Sequence, residues 1–399
     1  MAEKTMKIHF ALDTLGGALL KWRKFRVWIG SKFKPNGKCR AKGIETNMTE
    51  HPTAESLTPE SSLPRHPKKR GLRLRILGWT VLSLLTASAS GYLYLARWSG
   101  DGETPPRGFS SRNELIAALL VRGVGLIEKY PPLPENVELS EGVEYGKVGE
   151  RSLLLDLYKP KRQKGKVPGL IFIHGGGWKS GGRQDYRVYT TWFAQQGYVA
   201  ATIGYRLSKE ALFPAAVEDA KCAVRWMRAE AESLGVDPDK IVVIGGSAGG
   251  HLAMMIGYST DDKTLEGAGG HAEVSSEVAA VVDIYGPFDF DTPEGKSAGV
   301  VKDFLGQQSY EEAPELWKRL SPATYLNAGD PPTLIIHGSI DEIVPISQAE
   351  MLSKRLRELK IPSRYLRLEG WPHTMDAAVP VNIYCRHQIL KFLREQVGP

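Results

Sequence analysis

Ser247 stands in the pentapeptide Gly245-Gly246-Ser247-Ala248-Gly249, directly after the apolar run Ile241-Val242-Val243-Ile244. A short β-branched run of this kind reads as a buried strand, and the Ser-Ala-Gly-Gly-His-Leu-Ala-Met-Met that follows reads as the opening of a helix. A serine in so tight a strand-to-helix turn needs small neighbours, because a side chain at Gly245 or Gly249 would strike the adjoining backbone. The turn pushes Oγ outward at a helix N-terminus, where developing negative charge is favoured. That is the setting of an acyl-transfer nucleophile. A glycine-framed serine alone is a weak signal in a chain with 42 glycines; the flanking strand and helix make it stronger.

Three further motifs supply the rest of such chemistry. His174-Gly175-Gly176-Gly177-Trp178 follows the apolar Leu170-Ile171-Phe172-Ile173. Glycines after a buried strand let backbone N–H groups approach a substrate closely, and each such donor to a tetrahedral oxyanion is worth about 3 kcal/mol. The expected donors are Gly176, Gly177 and Ala248, with Trp178 lining the substrate pocket and limiting its depth. A phosphate-binding loop is disfavoured, since no Lys-Ser/Thr follows the glycines and their spacing is not G-x-G-x-x-G. Asp341, in the segment His337 to Pro345, lies where a loop after a late strand presents a carboxylate. His373, in Gly370-Trp371-Pro372-His373, lies before the last helix. His373 would take the Ser247 proton and hand it to the leaving group, and Asp341 would fix the imidazole tautomer. Glu342 and Asp376 are rival carboxylates. His251 falls one helical turn after Ser247 and reads as a core residue. His174 and His337 end strands and read as structural, and Asp219 as a solvated or ion-paired helix residue. No metal and no organic cofactor are expected.

These residues need a scaffold of alternating strands and helices. Strands are predicted at Leu153–Tyr158, Leu170–His174, Val199–Ile203, Ile241–Ile244, Ala279–Tyr285, Thr333–His337 and Arg364–Leu368. Helices are predicted at Asp185–Gln196, Ala215–Leu234, Ala248–Tyr258, Ser347–Leu359 and Val381–Gln396. This alternation implies an α/β fold with a mostly parallel sheet covered by helices on both faces. The catalytic domain is placed at 143–399. Residues 97–142 are expected to be a linker and a helix, with helical apolar spacing over Ser111–Tyr130. The stretch Gly286–Ala328, with a helical piece at Tyr310–Leu320, is the expected lid or pocket wall.

His174–Trp178, Tyr205-Arg206-Leu207, Phe213-Pro214 with Asp219, Gly245–Gly250, Tyr285-Gly286-Pro287, Ser321-Pro322 and Asp341 with Val344-Pro345 together resemble the bacterial feruloyl-esterase-like (BD-FAE-like) branch of the α/β-hydrolases. That branch is related to the hormone-sensitive-lipase-like carboxylesterases. The resemblance covers about Val143 to Val397. It implies an α/β-hydrolase fold with a mostly parallel eight-stranded sheet, and a carboxylic ester hydrolase acting on esters from acetylated or feruloylated sugars to small acyl compounds. An amidase or peptidase with the same triad, and a binding protein on the same scaffold, are the alternatives.

Charge is distributed unevenly along the chain. Residues 1–75 hold 17 Lys+Arg against 6 Asp+Glu, a balance of +11, whereas the remaining 324 balance at −4. The basicity therefore belongs to a leader, and the bulk has no nucleic-acid footprint. This leader is expected to be a disordered cytoplasmic tail, with Met48 as an alternative start. Residues 76–96 carry no charge and follow Lys68, Lys69, Arg70, Arg73 and Arg75. The stretch is long enough to span a bilayer, as a signal anchor or as a cleaved signal peptide with Ala87-Ser88-Ala89 as its site. Either reading puts the catalytic domain outside the cytoplasm, anchored to a membrane or secreted. Three cysteines, Cys39, Cys222 and Cys385, make no disulfide framework, and the last two are expected as buried free thiols.

Overall fold

In the computed structural model the described residues are 100–398, apart from 121 and 122, together with Trp79. Eight strands form one sheet: β1 Val137–Val148, β2 Arg151–Pro160, β3 Val167–Ile173, β4 Val199–Ile203, β5 Val236–Gly246, β6 Ala280–Ile284, β7 Thr333–Gly338 and β8 Ser363–Leu368. Their spatial order is β1-β2-β4-β3-β5-β6-β7-β8. β2 runs antiparallel to both β1 and β4, and every pairing from β4 to β8 is parallel. The helices are α1 Arg112–Leu120, α2 Arg187–Gln195, α3 Ala215–Ala229, α4 Ala231–Leu234, α5 Ala248–Tyr258, α6 Pro293–Ser297, α7 Gly299–Phe304, α8 Pro314–Leu320, α9 Ser347–Glu358 and α10 Val379–Gln396.

Successive strand residues feed two separate cores, as the pleat requires. Ile171, Ile173, Ile241 and Val243 join one core with buried residues of α3, α5 and α9. Leu170, Phe172, Val242 and Ile244 join the other with α2, α10 and Phe109. Strands buried on both faces are why they appear in the sequence as continuous apolar runs.

Four expectations about local structure are corrected. The sheet begins at Val137, six residues before the predicted domain start, because β1 is an edge strand with most side chains only partly covered. VELSEGVEYGKV therefore shows no apolar run. The predicted helix Ser111–Tyr130 ends at Leu120. Beyond it Val379 N–H donates to the Gly125 carbonyl (2.8 Å) and Ile127 N–H to the Ala377 carbonyl (2.9 Å), so this segment pairs with the chain ahead of α10 and leaves the helical path. Helix Ala215–Leu234 is interrupted at Glu230 and ends at Gly235, whose φ of 68° closes it. Residues 101–106, read as linker, are packed. Pro106 accepts the indole N–H of Trp371 at 2.9 Å, and Gly102 accepts from the Gln388 amide at 3.1 Å.

Cys222 and Cys385 are buried free thiols. The charge-free segment 76–96 and the basic leader lie outside the described residues, Trp79 apart. No helix among the described residues is long and apolar enough to cross a membrane.

Candidate active site

Ser247 is the hinge between β5 and α5, with φ 57° and ψ −123°. A serine held in this region is strained, and such strain is typical of functional turns. The turn is tight for the reason expected: a Cβ on Gly245 would fall on the Gly249 carbonyl, and one on Gly249 on the Ile173 carbonyl. The Ser247 N–H is tied to the Ile284 carbonyl at 2.9 Å, so β6 also holds the turn. Its neighbours are buried, while Ser247 itself is partly open.

The structure brings Ser247, His373 and Asp341 together from three separate loops. Ser247 Oγ lies 2.9 Å from His373 Nε2, and His373 Nδ1 lies 2.6 Å from Asp341 Oδ2. With Nδ1 donating to the carboxylate, Nε2 is left free to accept the serine proton. The other oxygen, Asp341 Oδ1, accepts the backbone N–H groups of Ile343 and Val344, both at 2.9 Å. Burial pushes the Asp341 carboxyl up, but hydrogen bonds from His337 and His373 and from the Val344 N–H outweigh it and hold the group at about 2. It is thus a carboxylate throughout the neutral range.

The loops carrying Asp341 and His373 are laced to each other. Ser339 N–H donates to the Leu368 carbonyl (2.9 Å), and Gly370 N–H to Ser339 Oγ (2.8 Å). Trp371 is buried two residues before His373 and packs edge-on against Phe109 at 5.1 Å. The segment before α1 therefore clamps the histidine loop, a role invisible in its sequence.

Of the three candidate carboxylates, Asp341 is the one 2.6 Å from His373 Nδ1. Asp376 is buried, accepting from the hydroxyls of Tyr285 and, at 3.2 Å, Tyr189, and burial raises its carboxyl above the usual range. Glu342 is exposed. Tyr285, which the sequence reading did not single out as a contact, lays its ring 4.8 Å from that of His373. Its φ of 48° was the signal to seek, but a backbone angle is not legible in Tyr-Gly-Pro.

The glycine loop lies against the serine: a Cβ on Gly175 would meet Ser247 Cβ at 3.2 Å. Gly176, Gly177 and Trp178 all have positive φ, at 106°, 60° and 56°. The Gly176 carbonyl accepts from Lys179 and Ser180 N–H, closing the turn. Trp178 is corrected from pocket lining to core. It is 2% exposed, stacked on Phe304 at 4.7 Å and edge-on to His251 at 5.1 Å. Its left-handed backbone turns the ring inward, so it props the loop from below. A Cβ on Gly177 would collide with the Val300 side chain, and Lys179 pairs with Asp303 at 3.5 Å. The 286–328 segment therefore closes on this loop through α7.

His251, His174 and His337 are each tied into the core by ring or backbone contacts. His251 Nε2 donates to the Leu320 carbonyl at 2.8 Å, and burial lowers its imidazole to about 4. His174 stacks on Tyr205 at 4.3 Å, and the Tyr205 hydroxyl donates to the His174 carbonyl at 3.0 Å. His337 Nε2 donates to the Val344 carbonyl at 2.9 Å and lies 3.3 Å from Asp341 Oδ2. Asp219 is an ion-paired residue, joined to Arg206 at 2.7 Å. Among the described residues no group of three or more His, Cys, Asp or Glu could hold a metal ion.

Asp283, on β6 next to His337, is fully buried. Its Oδ1 accepts the Gly286 N–H at 2.8 Å while Oδ2 has no partner. Burial pushes this carboxyl up to about 7, against the opposing effects of His337 and the Gly286 N–H. A raised folded pKa means the native state holds a proton the unfolded chain has lost. Stability then falls as pH rises from the unfolded value, about 3.9, through the folded one, and is level above it. Asp283→Asn keeps the Gly286 bond and removes the titration. The variant is expected to lose on the order of 2 kcal/mol less stability than the parent between pH 5 and pH 8. Urea unfolding at the two pH values measures this; equal losses would mean Asp283 titrates normally.

The sequence and the fold have counterparts among known proteins. Residues 155–356, half of the chain, match the BD-FAE family model. Esterase LipC of Mycobacterium tuberculosis is 35% identical over 231 residues, covering 56% of this chain and 57% of LipC. The chain thus spans little more than half the length of the curated relatives it matches first. Among solved structures, a truncated carbohydrate esterase from gut microbiota superposes with a TM-score of 0.56 at 27% identity, covering 66% of this chain and 97% of its own. Thermogutta terrifontis esterase 2 superposes with a TM-score of 0.57 at 29% identity, covering 67% and 97%. With the family model spanning the sheet from β2 to α9, this chain belongs to the BD-FAE family.

Proposed function

We propose that the protein is a serine hydrolase of carboxylic esters, with Ser247, His373 and Asp341 as its triad. The observation that carries this is the bonded line from Ser247 Oγ through both ring nitrogens of His373 to Asp341. In this reading Oγ attacks the ester carbonyl carbon as His373 Nε2 takes its proton. The N–H groups of Gly176, Gly177 and Ala248 receive the oxyanion. Collapse breaks the bond to the alkoxy oxygen, which leaves with the proton from Nε2. Water, deprotonated by the same nitrogen, then cleaves the acyl-enzyme. The esterase names of the relatives support ester over amide substrates. A related esterase of the same fold has been captured phosphorylated by paraoxon. A fluorophosphonate probe is therefore the direct test. Labelling at Ser247, with turnover of esters and not of amides, is the expected result; no labelling would point to a binding protein.

The substrates we propose are small acyl esters, acetylated or feruloylated sugars among them. A carbohydrate esterase among the structural relatives supports the alcohol side. The acyl side rests on space: Trp178, Phe304, Phe290 and His251 fill the volume beneath the glycine loop with one aromatic cluster. Across a p-nitrophenyl series kcat/KM is expected to be greatest from acetyl to butyryl. A maximum at chains of ten or more carbons would refute the small site. We further propose that residues 76–96 hold the domain at a membrane on its exported side, since a charge-free stretch of this length with a basic flank is oriented N-terminus inward.

A further inference from the structure

Most large apolar side chains exposed among residues 100–398 lie on one stretch of surface. Ile116 and Leu120 stand on the outer side of α1; Leu126, Tyr130 and Leu133 follow it, and Val379 opens α10, with exposures from 36% to 79%. α1 already buries Leu115 and Ala118 against the domain, so its outer side is apolar without serving the core. Val379 belongs to the same patch: its side chain lies 3.4 Å from where a Cβ on Gly125 would stand, and its N–H donates to the Gly125 carbonyl. A contiguous apolar surface on an otherwise polar exterior marks a contact with something else apolar.

The path of the chain says what that is. Gly100 sits directly on Pro380, where a Cβ would come 2.8 Å from the Pro380 carbonyl oxygen. The polypeptide therefore enters the domain beside Val379, at the edge of the patch. The charge-free stretch ends at Ala96, only four residues earlier. Four extended residues reach at most about 14 Å. If residues 76–96 cross a bilayer, the edge of the patch at Val379 is held within about that distance of its surface.

We propose that the face built from α1, residues 124–133 and the start of α10 rests on the membrane surface, with Ile116, Leu120, Leu126 and Tyr130 immersed in the interfacial region. This rests on reading 76–96 as a membrane span. The attraction proposed is apolar: among the described residues of this stretch Glu128 and Glu135 are exposed and Lys129 is paired with Asp185 at 2.8 Å. α9 packs in the core on the other side of the sheet from α10, so its exposed Lys354 faces away from the bilayer.

The test uses the full chain with Cys39→Ser, leaving the buried Cys222 and Cys385 in place. Single cysteines at Leu120, Leu126 or Lys354 are labelled with an environment-sensitive nitrobenzoxadiazole, and the protein is reconstituted in phosphatidylcholine vesicles containing nitroxide lipid. Labels at 120 and 126 are expected to lose most of their emission to the nitroxide, and the label at 354 to keep it. Ile116→Glu with Tyr130→Glu should restore emission at 126 while p-nitrophenyl acetate turnover is unchanged. Protein that floats with vesicles yet keeps full emission at 120 and 126 overturns the surface and leaves the span standing. Protein that does not float overturns the span and the surface with it.

Discussion

Replacing Ser247 with alanine is expected to lower kcat by at least about 10³-fold, because only the oxyanion donors and substrate binding would remain to act on water. The variant should fold as the parent does. Among the described residues the Ser247 hydroxyl is hydrogen-bonded to His373, and alanine tolerates the 57° φ no worse than serine. Ser247→Gly makes a sharper comparison: glycine takes that φ without strain, so the variant should be inactive yet at least as stable in thermal melts. Loss of activity with stability kept or gained would mark Ser247 as a residue strained for chemistry. Near-parental kcat in a well-folded alanine variant would remove it from the mechanism.

Asp341→Asn should cost about 10³- to 10⁴-fold in kcat with little change in fold. The backbone determines how the amide must sit. Oδ1 accepts from the Ile343 and Val344 N–H groups, and only the amide oxygen can continue to do so. The NH2 is then left at the Oδ2 position, opposite His373 Nδ1. There it donates to Nδ1 and drives the imidazole proton to Nε2, so the ring can no longer accept from Ser247. His337 Nε2, 3.3 Å from that position, would face a second donor, which adds modestly to the disturbance. Asp376→Asn is the control. Its carboxyl is spent on Tyr285 and Tyr189, so kcat should change far less. Saturating kinetics with parallel thermal melts measure both; a severe loss confined to the Asp376 variant would reassign the carboxylate.

Ser247, His373 and Asp341 could be picked out from local signals, and so could most of the sheet. A buried parallel strand is apolar along its whole length, and a chemical residue placed at its carboxyl end is announced by glycines and by the turn that follows. Gly245 and Gly249 were legible because the collision they avoid is with backbone only a few residues away, or with the adjacent strand end at Ile173. The same locality explains the misses. β1 is half-exposed and paired on one side, so its composition resembles a loop. The predicted helix does not run on to Tyr130 because the chain there pairs with the segment ahead of α10, Gly125 accepting from Val379 N–H and Ile127 N–H donating to Ala377, about 250 residues away in sequence.

Side-chain direction was likewise decided only in three dimensions. The sequence alone determined that a tryptophan follows the glycine loop; the 56° φ of Trp178 and the face of Phe304 decided that it points into the core. Asp341, Glu342 and Asp376 are equivalent as letters. What separates them is which backbone N–H groups and hydroxyls meet each carboxylate, and those partners come from the turn after β6, from α2 and from the loop after β7. The candidate site was legible in residue types and their order, since the chemistry proposed needs particular functional groups at strand ends. Which carboxylate orients the histidine, and which loop clamps it, depended on contacts between distant segments, whose energies no local pattern encodes.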